Sequence, residues 1–382
     1  MGLRGKRYRQ WSVAIVFSAW IFGLSAATWL APSAEFSETE NRVLAQMPEC
    51  TVETALNGDF EREYEEYLTD QMILRDRWME LKTSVEWLLK RESNDIYFAK
   101  EGYFIEKHSG VYETQTAQRN IAILEAFARR YGEQLGEGHV SIMIVPNAVD
   151  ILQEKLPPFA NSGGGSDYLE RIADALPAGV WFDAASVLRA HDDEALYYRT
   201  DHHWKTLAAF YVYQAWAEER GYGVPEIADY EIRTVSNCFE GTIQSKLGIR
   251  TSGDSIELFD PKEAPSYTVR RASSDQIEHS VYDDSALDGK DQYAVFFGGN
   301  DSLIQIRSEG KSGRKALVIK DSYANCFIPF MIGEFQEIDI LDLRYTSDSV
   351  SERIRTGGYT DLLVLYNGSG FAEDRNASKM IH

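Results

Sequence analysis

Apolar and polar positions alternate in three different ways along this chain. From Trp11 to Ala31 there is no charged residue at all, and a run of about 20 apolar residues matches the thickness of a bilayer core. From Asp59 to Leu89 the spacing becomes helical. Phe60, Tyr64, Tyr67 and Leu68 recur at threes and fours, as do Trp78, Leu81, Val85 and Leu88. The stretch Asp70–Asp76 reads as a break between two helices. Beyond residue 94, short apolar runs alternate with longer amphipathic ones, which predicts strands and helices in turn.

In that third regime Asp95–Ile105 reads as strand, turn, strand, with Gly102 in the turn. Thr116–Tyr131 and Lys205–Arg220 read as helices, the second stopping at Gly221. Val140–Val145, Ala316–Ile319, Ile338–Leu343 and Leu362–Tyr366 are short, predominantly apolar runs and read as buried strands. Val180–Asp183 reads as a further short strand, and Pro157–Ser166, with three consecutive glycines, as a surface loop. Residues 222–315 are polar, strand-rich and loop-rich, and their order cannot be read from periodicity.

Charge sharpens the N-terminal reading. Arg4, Lys6, Arg7 and Arg9 precede the apolar run, so this flank is expected in the cytoplasm and everything after residue 32 outside it. A cleaved signal peptide, with small residues at Ala31–Ala34, is the alternative; the length of the run favours an anchor. A net charge of −21 argues against nucleic acid as a partner, because phosphate backbones select basic surfaces. Three cysteines at 50, 238 and 326 are too few and too scattered for a disulfide framework or a thiolate metal site.

The densest chemistry is Tyr197-Tyr198-Arg199-Thr200-Asp201-His202-His203-Trp204. An acid two residues before a histidine shares its side of an extended backbone and can hold one ring nitrogen, leaving the other free to move a proton. Ser322 follows the run Ala316–Ile319 as a nucleophile on a strand-to-helix turn would. A serine hydroxyl needs a base, and His203 oriented by Asp201 supplies one. Asn367, at the end of a later strand, and Asn300, after Gly298-Gly299, are candidates to stabilise an oxyanion. Tyr323 and Trp204 are candidates to face the substrate. Simpler readings stand beside these: Asp201 as a helix cap, Trp204 and the tyrosines as core, and Asp201-His202-His203 as metal ligands. No further His/Asp/Glu cluster completes a metal site, so no metal and no other cofactor is expected.

Taken together, Tyr-Tyr-Arg-Thr-Asp-His-His-Trp at 197–204 and Ile-Lys-Asp-Ser-Tyr-Ala at 319–324 resemble the bacterial DHHW family. Asn41-Arg42, Asp95–Phe98 with Gly102-Tyr103, Val145-Pro146-Asn147 and Asp342–Tyr345 extend the resemblance. That family in turn resembles the alginate O-acetylation branch of the SGNH hydrolase superfamily. The resemblance implies a three-layer α/β/α sandwich with a mainly parallel sheet and a triad of Asp201, His203 and Ser322. It also implies a circularly permuted motif order, because the acid–histidine pair precedes the serine here. Lys320 stands where the superfamily has a glycine, and Asn367 matches its asparagine by topology.

The domain layout that follows has a cytoplasmic segment (1–10), a transmembrane anchor (11–31) and a helical stalk or cap (32–94). A catalytic domain (95–382) then carries an insertion at about 222–315. The resemblance implies a membrane-anchored, extracytoplasmic O-acetyltransferase or acetylesterase acting on a cell-envelope polysaccharide, with a membrane-bound O-acyltransferase as partner. A non-catalytic polysaccharide-binding or scaffold subunit is the alternative.

Overall fold

The computed structural model describes residues 2–37, 39–40, 42–136, 138–263, 265–309 and 313–382, with side chains from residue 11 onward. Asn41, one of the family-like positions, lies outside the described residues. The chain forms two compact units, one running up to Leu88 and including Ser245–Ile249, the other comprising Leu89–Gln244 and Arg250–His382.

In the first unit, helix α1 (Gly2–Leu30) contains the apolar span Trp11–Leu30, long and apolar enough to cross a membrane. Helices α2 (Asp59–Asp70) and α3 (Arg75–Leu89) follow. The break between them is tied down at Asp70. Asp70 receives a bidentate contact from the Arg42 guanidinium and the Ala45 N–H at 2.8 Å, a fork geometry that arginine is built to make. On α3, Trp78, Leu81, Val85 and Leu88 are exposed, while Thr83 is buried and donates to the Leu247 carbonyl at 2.7 Å.

The second unit is built on a seven-stranded sheet. Its elements in chain order are α4 (Gln115–Leu135), β1 (Val140–Val145), α5 (Gly165–Ala175), α6 (Thr206–Arg220), β2 (Tyr267–Arg271), β3 (Ile277–Glu278) and β4 (Leu303–Ser308). They continue with β5 (Lys315–Lys320), β6 (Glu337–Asp342), α7 (Val350–Gly357) and β7 (Asp361–Asn367). The strand order is β3-β2-β4-β6-β5-β7-β1. Strands β6, β5, β7 and β1 are mutually parallel; these are the four runs expected as buried strands. Strands β2, β3 and β4 extend the sheet antiparallel, so residues 222–315 complete the central sheet and also form the hairpin Tyr230–Phe239 with Asp254–Pro261.

Side chains alternate across the parallel strands and feed two separate cores. Ala316, Val318, Leu363 and Leu365 pack with α6 on one face; Leu317, Ile319, Leu362 and Val364 pack with α4 and α7 on the other. Burial on both faces is what selects uninterrupted apolar runs over alternating ones. Val180–Asp183 is not a strand. Only Trp181 bridges to Ile142, and Asp183 accepts the Ser186 N–H to start the helix Ala184–Arg189, which turns the chain away after one contact. The carboxyl ends of β5, β7 and β1 lie side by side, with Lys320 opposite Leu365 and Asn367 opposite Val145. Ligand sites of open α/β sheets form at such an edge.

Candidate active site

Ser322 is the first residue after the β5 turn and opens the 3-10 helix Ser322–Cys326. Asp321 makes the turn. One of its carboxylate oxygens accepts the Tyr323 N–H at 2.9 Å, and the other accepts the Asn367 backbone N–H at 2.9 Å and side-chain amide at 2.6 Å. The serine is thereby tied to the end of the neighbouring strand β7. Its side chain is half-buried.

The Asp201–His203 pair is not on an extended strand, as its spacing suggested. Tyr198 N–H bonds the His203 carbonyl at 3.2 Å and Lys205 N–H bonds the Leu196 carbonyl at 2.8 Å, closing a tight loop. Inside it Asp201 Oδ1 accepts the backbone N–H of His203 at 3.0 Å, an Asx turn, and the ring Nδ1 of the same residue at 2.6 Å. The turn achieves what extension would have. With Nδ1–H donating to the carboxylate, Nε2 is left as an acceptor, and the Ser322 hydroxyl lies 2.8 Å from it.

The other oxygen of Asp201 accepts the N–H of Thr242 at 2.8 Å and its hydroxyl at 3.0 Å. Four donors on one buried carboxylate leave it no other partner to seek. Burial alone would raise its pKa; the His202 and His203 rings and these hydrogen bonds hold it well below the ordinary carboxylate range instead. Burial, together with His202 and Lys320, lowers His203 below the ordinary 6.5 against the opposing pull of Asp201. The ring is therefore neutral, and able to accept a proton, at pH 7.

Three residues that periodicity did not single out hold this arrangement. Tyr293 stacks on the His203 ring, centroids 3.8 Å apart and planes 13° from parallel, while its hydroxyl donates to the Ser322 carbonyl at 3.3 Å. Buried Asp254 accepts the backbone N–H groups of Arg199 at 3.1 Å and Thr200 at 2.8 Å, and the Thr200 hydroxyl at 2.6 Å. Gly241 lies against Asp201: a Cβ there would stand 2.3 Å from the Asp201 Cβ and 2.6 Å from its Cα and from the Thr200 carbonyl oxygen. Two of those three atoms are backbone and cannot swing aside. Gly241→Ala is expected to cost about 1–3 kcal/mol through overpacking, read as a lower melting temperature, and to reduce activity by displacing Asp201.

Asp201, His202 and His203 also bring one donor atom each within 4.8 Å of one another, the residue types of a metal cluster. The surroundings suit an anion better. Asp201 faces four N–H and O–H donors, which a cation would have to displace, and His202 Nδ1 meets the Thr242 hydroxyl at 2.8 Å.

A family model described as DHHW protein matches residues 112–341, which span the motif loop, Gly241, Tyr293 and Ser322. The chain belongs to the DHHW family. Among solved structures it resembles a DHHW family protein from Eubacterium siraeum, at 26% identity and a TM-score of 0.62, over 76% of this chain and 96% of that one. It also resembles Bacillus cereus PatB1, solved with a sulfonyl adduct, at 20% identity and a TM-score of 0.60, over 73% of this chain and 98% of that one. A more distant likeness, at 12% identity and a TM-score of 0.45, is to the O-acetyltransferase domain of Pseudomonas putida AlgJ, over 73% and 92% of the two chains. Comparison with curated proteins finds no match.

The remaining candidates of this DHHW chain divide differently from expectation. Trp204 is wholly buried; its indole N–H donates to the Tyr323 carbonyl at 2.8 Å. Tyr323 is also buried, and its hydroxyl donates to the His202 carbonyl. Neither side chain is open to solvent. Each ties the motif loop to the serine helix, which is how residues 119 positions apart meet. Asn367 is likewise not turned to an oxyanion. Its amide donates to Asp321, and its carbonyl accepts the Gly370 N–H at 2.7 Å as the N-cap of the helix Gly368–Glu373. A strand that runs straight into a helix spends its last side chain on capping. Asn300 is exposed, and its carbonyl accepts the Lys320 ammonium at 2.6 Å. A cavity of about 1020 Å³ bordered by Tyr230, Arg233, Tyr267 and Tyr282 is lined by none of Asp201, His203 and Ser322. All three cysteines are free thiols, with burial pushing Cys326 up to about 12.

Proposed function

We propose that this protein is a membrane-anchored, extracytoplasmic O-acetyltransferase or acetylesterase acting on a cell-envelope polysaccharide, with residues 95–382 as its catalytic domain. The observation that carries the reading is the chain of contacts Asp201–His203–Ser322 at 2.6 and 2.8 Å. His203 Nε2 takes the hydroxyl proton as Ser322 Oγ attacks the acyl carbon of the donor ester. The negative carbonyl oxygen of the tetrahedral intermediate is met by the amide of Asn300. Collapse breaks the bond to the donor oxygen, which leaves with the proton now on His203, and Ser322 holds the acetyl group. In the second half a sugar hydroxyl or water gives its proton to His203 and attacks the acetyl carbon; the bond to Ser322 Oγ then breaks, and Oγ takes that proton back from His203.

PatB1, similar in fold, has been captured with a sulfonyl adduct, and sulfonyl reagents add to activated nucleophiles of the kind assigned to Ser322. The apolar span with its basic flank anchors the domain outside the cytoplasmic membrane, beside a membrane-bound O-acyltransferase that would supply acyl groups. The motif order, acid and histidine before serine, is read as a circular permutation of the SGNH arrangement.

The direction of transfer is tested by giving the detergent-solubilised chain an activated acetyl ester with and without an envelope oligosaccharide. Acetylated sugar identifies a transferase and acetate alone an esterase. No Ser322-dependent release of acetate counters both. The same assay carries a pH prediction. His203 must be neutral to accept a proton, so kcat/KM falls as pH drops through its pKa, and the acid limb is expected below 6.5. An acid limb above 7 would contradict the burial-dominated environment of His203.

A further inference from the structure

Strand β5 alternates between two apolar cores, and Lys320 is its last residue, on the side of Ala316 and Val318. Only 1% of it is exposed. Burying an ammonium is costly unless it is paired, yet its carboxylate neighbour is already taken. Asp342 lies 3.7 Å from Lys320 Nζ but is gripped by Arg344 through two bonds of 2.9 and 2.6 Å. The closest contacts of Nζ are two amide oxygens, Asn300 Oδ1 at 2.6 Å and Asn325 Oδ1 at 2.8 Å.

A cation on the oxygen of an amide fixes which way the amide points. The flipped rotamer would set NH2 against NH3+, donor against donor. Asn300 Nδ2 is thus the end of the amide that Lys320 does not hold, on a residue that is exposed. The backbone that carries it is preset as well. Phe297, Gly298 and Gly299 have φ of 63°, 61° and 98° in succession. A phenylalanine with positive φ is strained and persists only where its surroundings enforce it. Here the Phe297 ring is buried and its N–H bonds the Val281 carbonyl at 2.7 Å.

We propose that Lys320 is a positioning residue: its buried ammonium holds the oxygen of the Asn300 side chain, leaving the amide N–H groups to face the substrate. This rests on the reading of Ser322 as nucleophile. It also gives a use to the departure seen in the sequence, where a lysine replaces the glycine before Asp-Ser.

The test is a double-substitution cycle on the detergent-solubilised full chain with an activated acetyl ester, rates being normalised to the fraction of Ser322 that a sulfonyl fluoride labels. Asn300→Asp removes the donor at an exposed position and is expected to lower kcat about 100-fold, with KM within about two-fold. Lys320→Met is expected to lower kcat by about 10- to 100-fold. Because Lys320 acts through Asn300, adding Lys320→Met to Asn300→Asp should cost less than about a further three-fold. Losses that multiply, or a Lys320→Met enzyme equal to the unaltered one, overturn the proposal. If Lys320→Met does not fold, Asn300→Asp decides alone, and an unchanged kcat overturns it. Ser322-independent turnover, by contrast, would remove the underlying reading rather than this one.

Discussion

Ser322→Ala is expected to lower turnover of an activated acetyl ester by at least about 10³-fold while leaving the fold intact. The hydroxyl makes one side-chain contact, with His203 Nε2 at 2.8 Å, and is half-buried. Its loss therefore costs about 1 kcal/mol of stability at most, and the melting temperature should barely move. His203→Ala should lower turnover comparably, and the double substitution should be no worse than either single one, because the two act as a unit. A Ser322→Ala protein that keeps more than about a tenth of the activity would mean that the acyl group is carried elsewhere or attacked by water directly.

Asp201→Asn is expected to have the second largest effect, a loss of about 10⁴-fold in kcat accompanied by about 1–3 kcal/mol of destabilisation. The reason is visible in the hydrogen bonds. One oxygen of Asp201 faces the backbone N–H and ring Nδ1 of His203; the other faces the N–H and hydroxyl of Thr242. An asparagine has only one oxygen, so either rotamer sets its NH2 against N–H donors. If it faces His203, the ring is forced toward the wrong tautomer, and the negative charge that would stabilise the imidazolium is lost in both cases. Steady-state kinetics and a thermal melt read the two effects separately. Loss of stability with full activity per folded molecule would show that Asp201 is a structural cap and not part of the relay.

The parallel half of the sheet was legible because strands buried on both faces are predominantly apolar, as Ala316–Ile319 and Leu362–Tyr366 are. Strands β2–β4 were not, because an antiparallel edge needs only alternate apolar positions and such patterns are diluted in a polar segment. The Asp-x-His spacing and the serine after a strand identified residues that lie within hydrogen-bond reach of one another. What encloses them was hidden. Gly241 and Thr242 meet Asp201 through a chain excursion of about 40 residues, and a glycine chosen for lack of space looks no different in sequence from one in a loop. Tyr293 belongs to an apolar run that resembles a strand but forms a 3-10 turn.

Aromatic residues beside a catalytic motif invite assignment to a substrate platform. Trp204 and Tyr323 are instead the buried ties between loop and serine helix, a role their polar tips serve through N–H and O–H bonds to carbonyls. Asn367 was displaced from its expected role by the helix it caps, and Lys320 stood in the sequence only as a departure from a pattern. Its contacts with Asn300 and Asn325 arise only in the fold, which sets Asn300 beside the end of β5.

The central claim is that Ser322 is a nucleophile activated by His203. It is tested most directly by treating the full chain with a sulfonyl fluoride and locating the adduct by peptide mass spectrometry. A single adduct on Ser322, formed at least about 100-fold more slowly in His203→Ala, is the result expected. An adduct on another residue, or labelling of Ser322 at the same rate without His203, would contradict it.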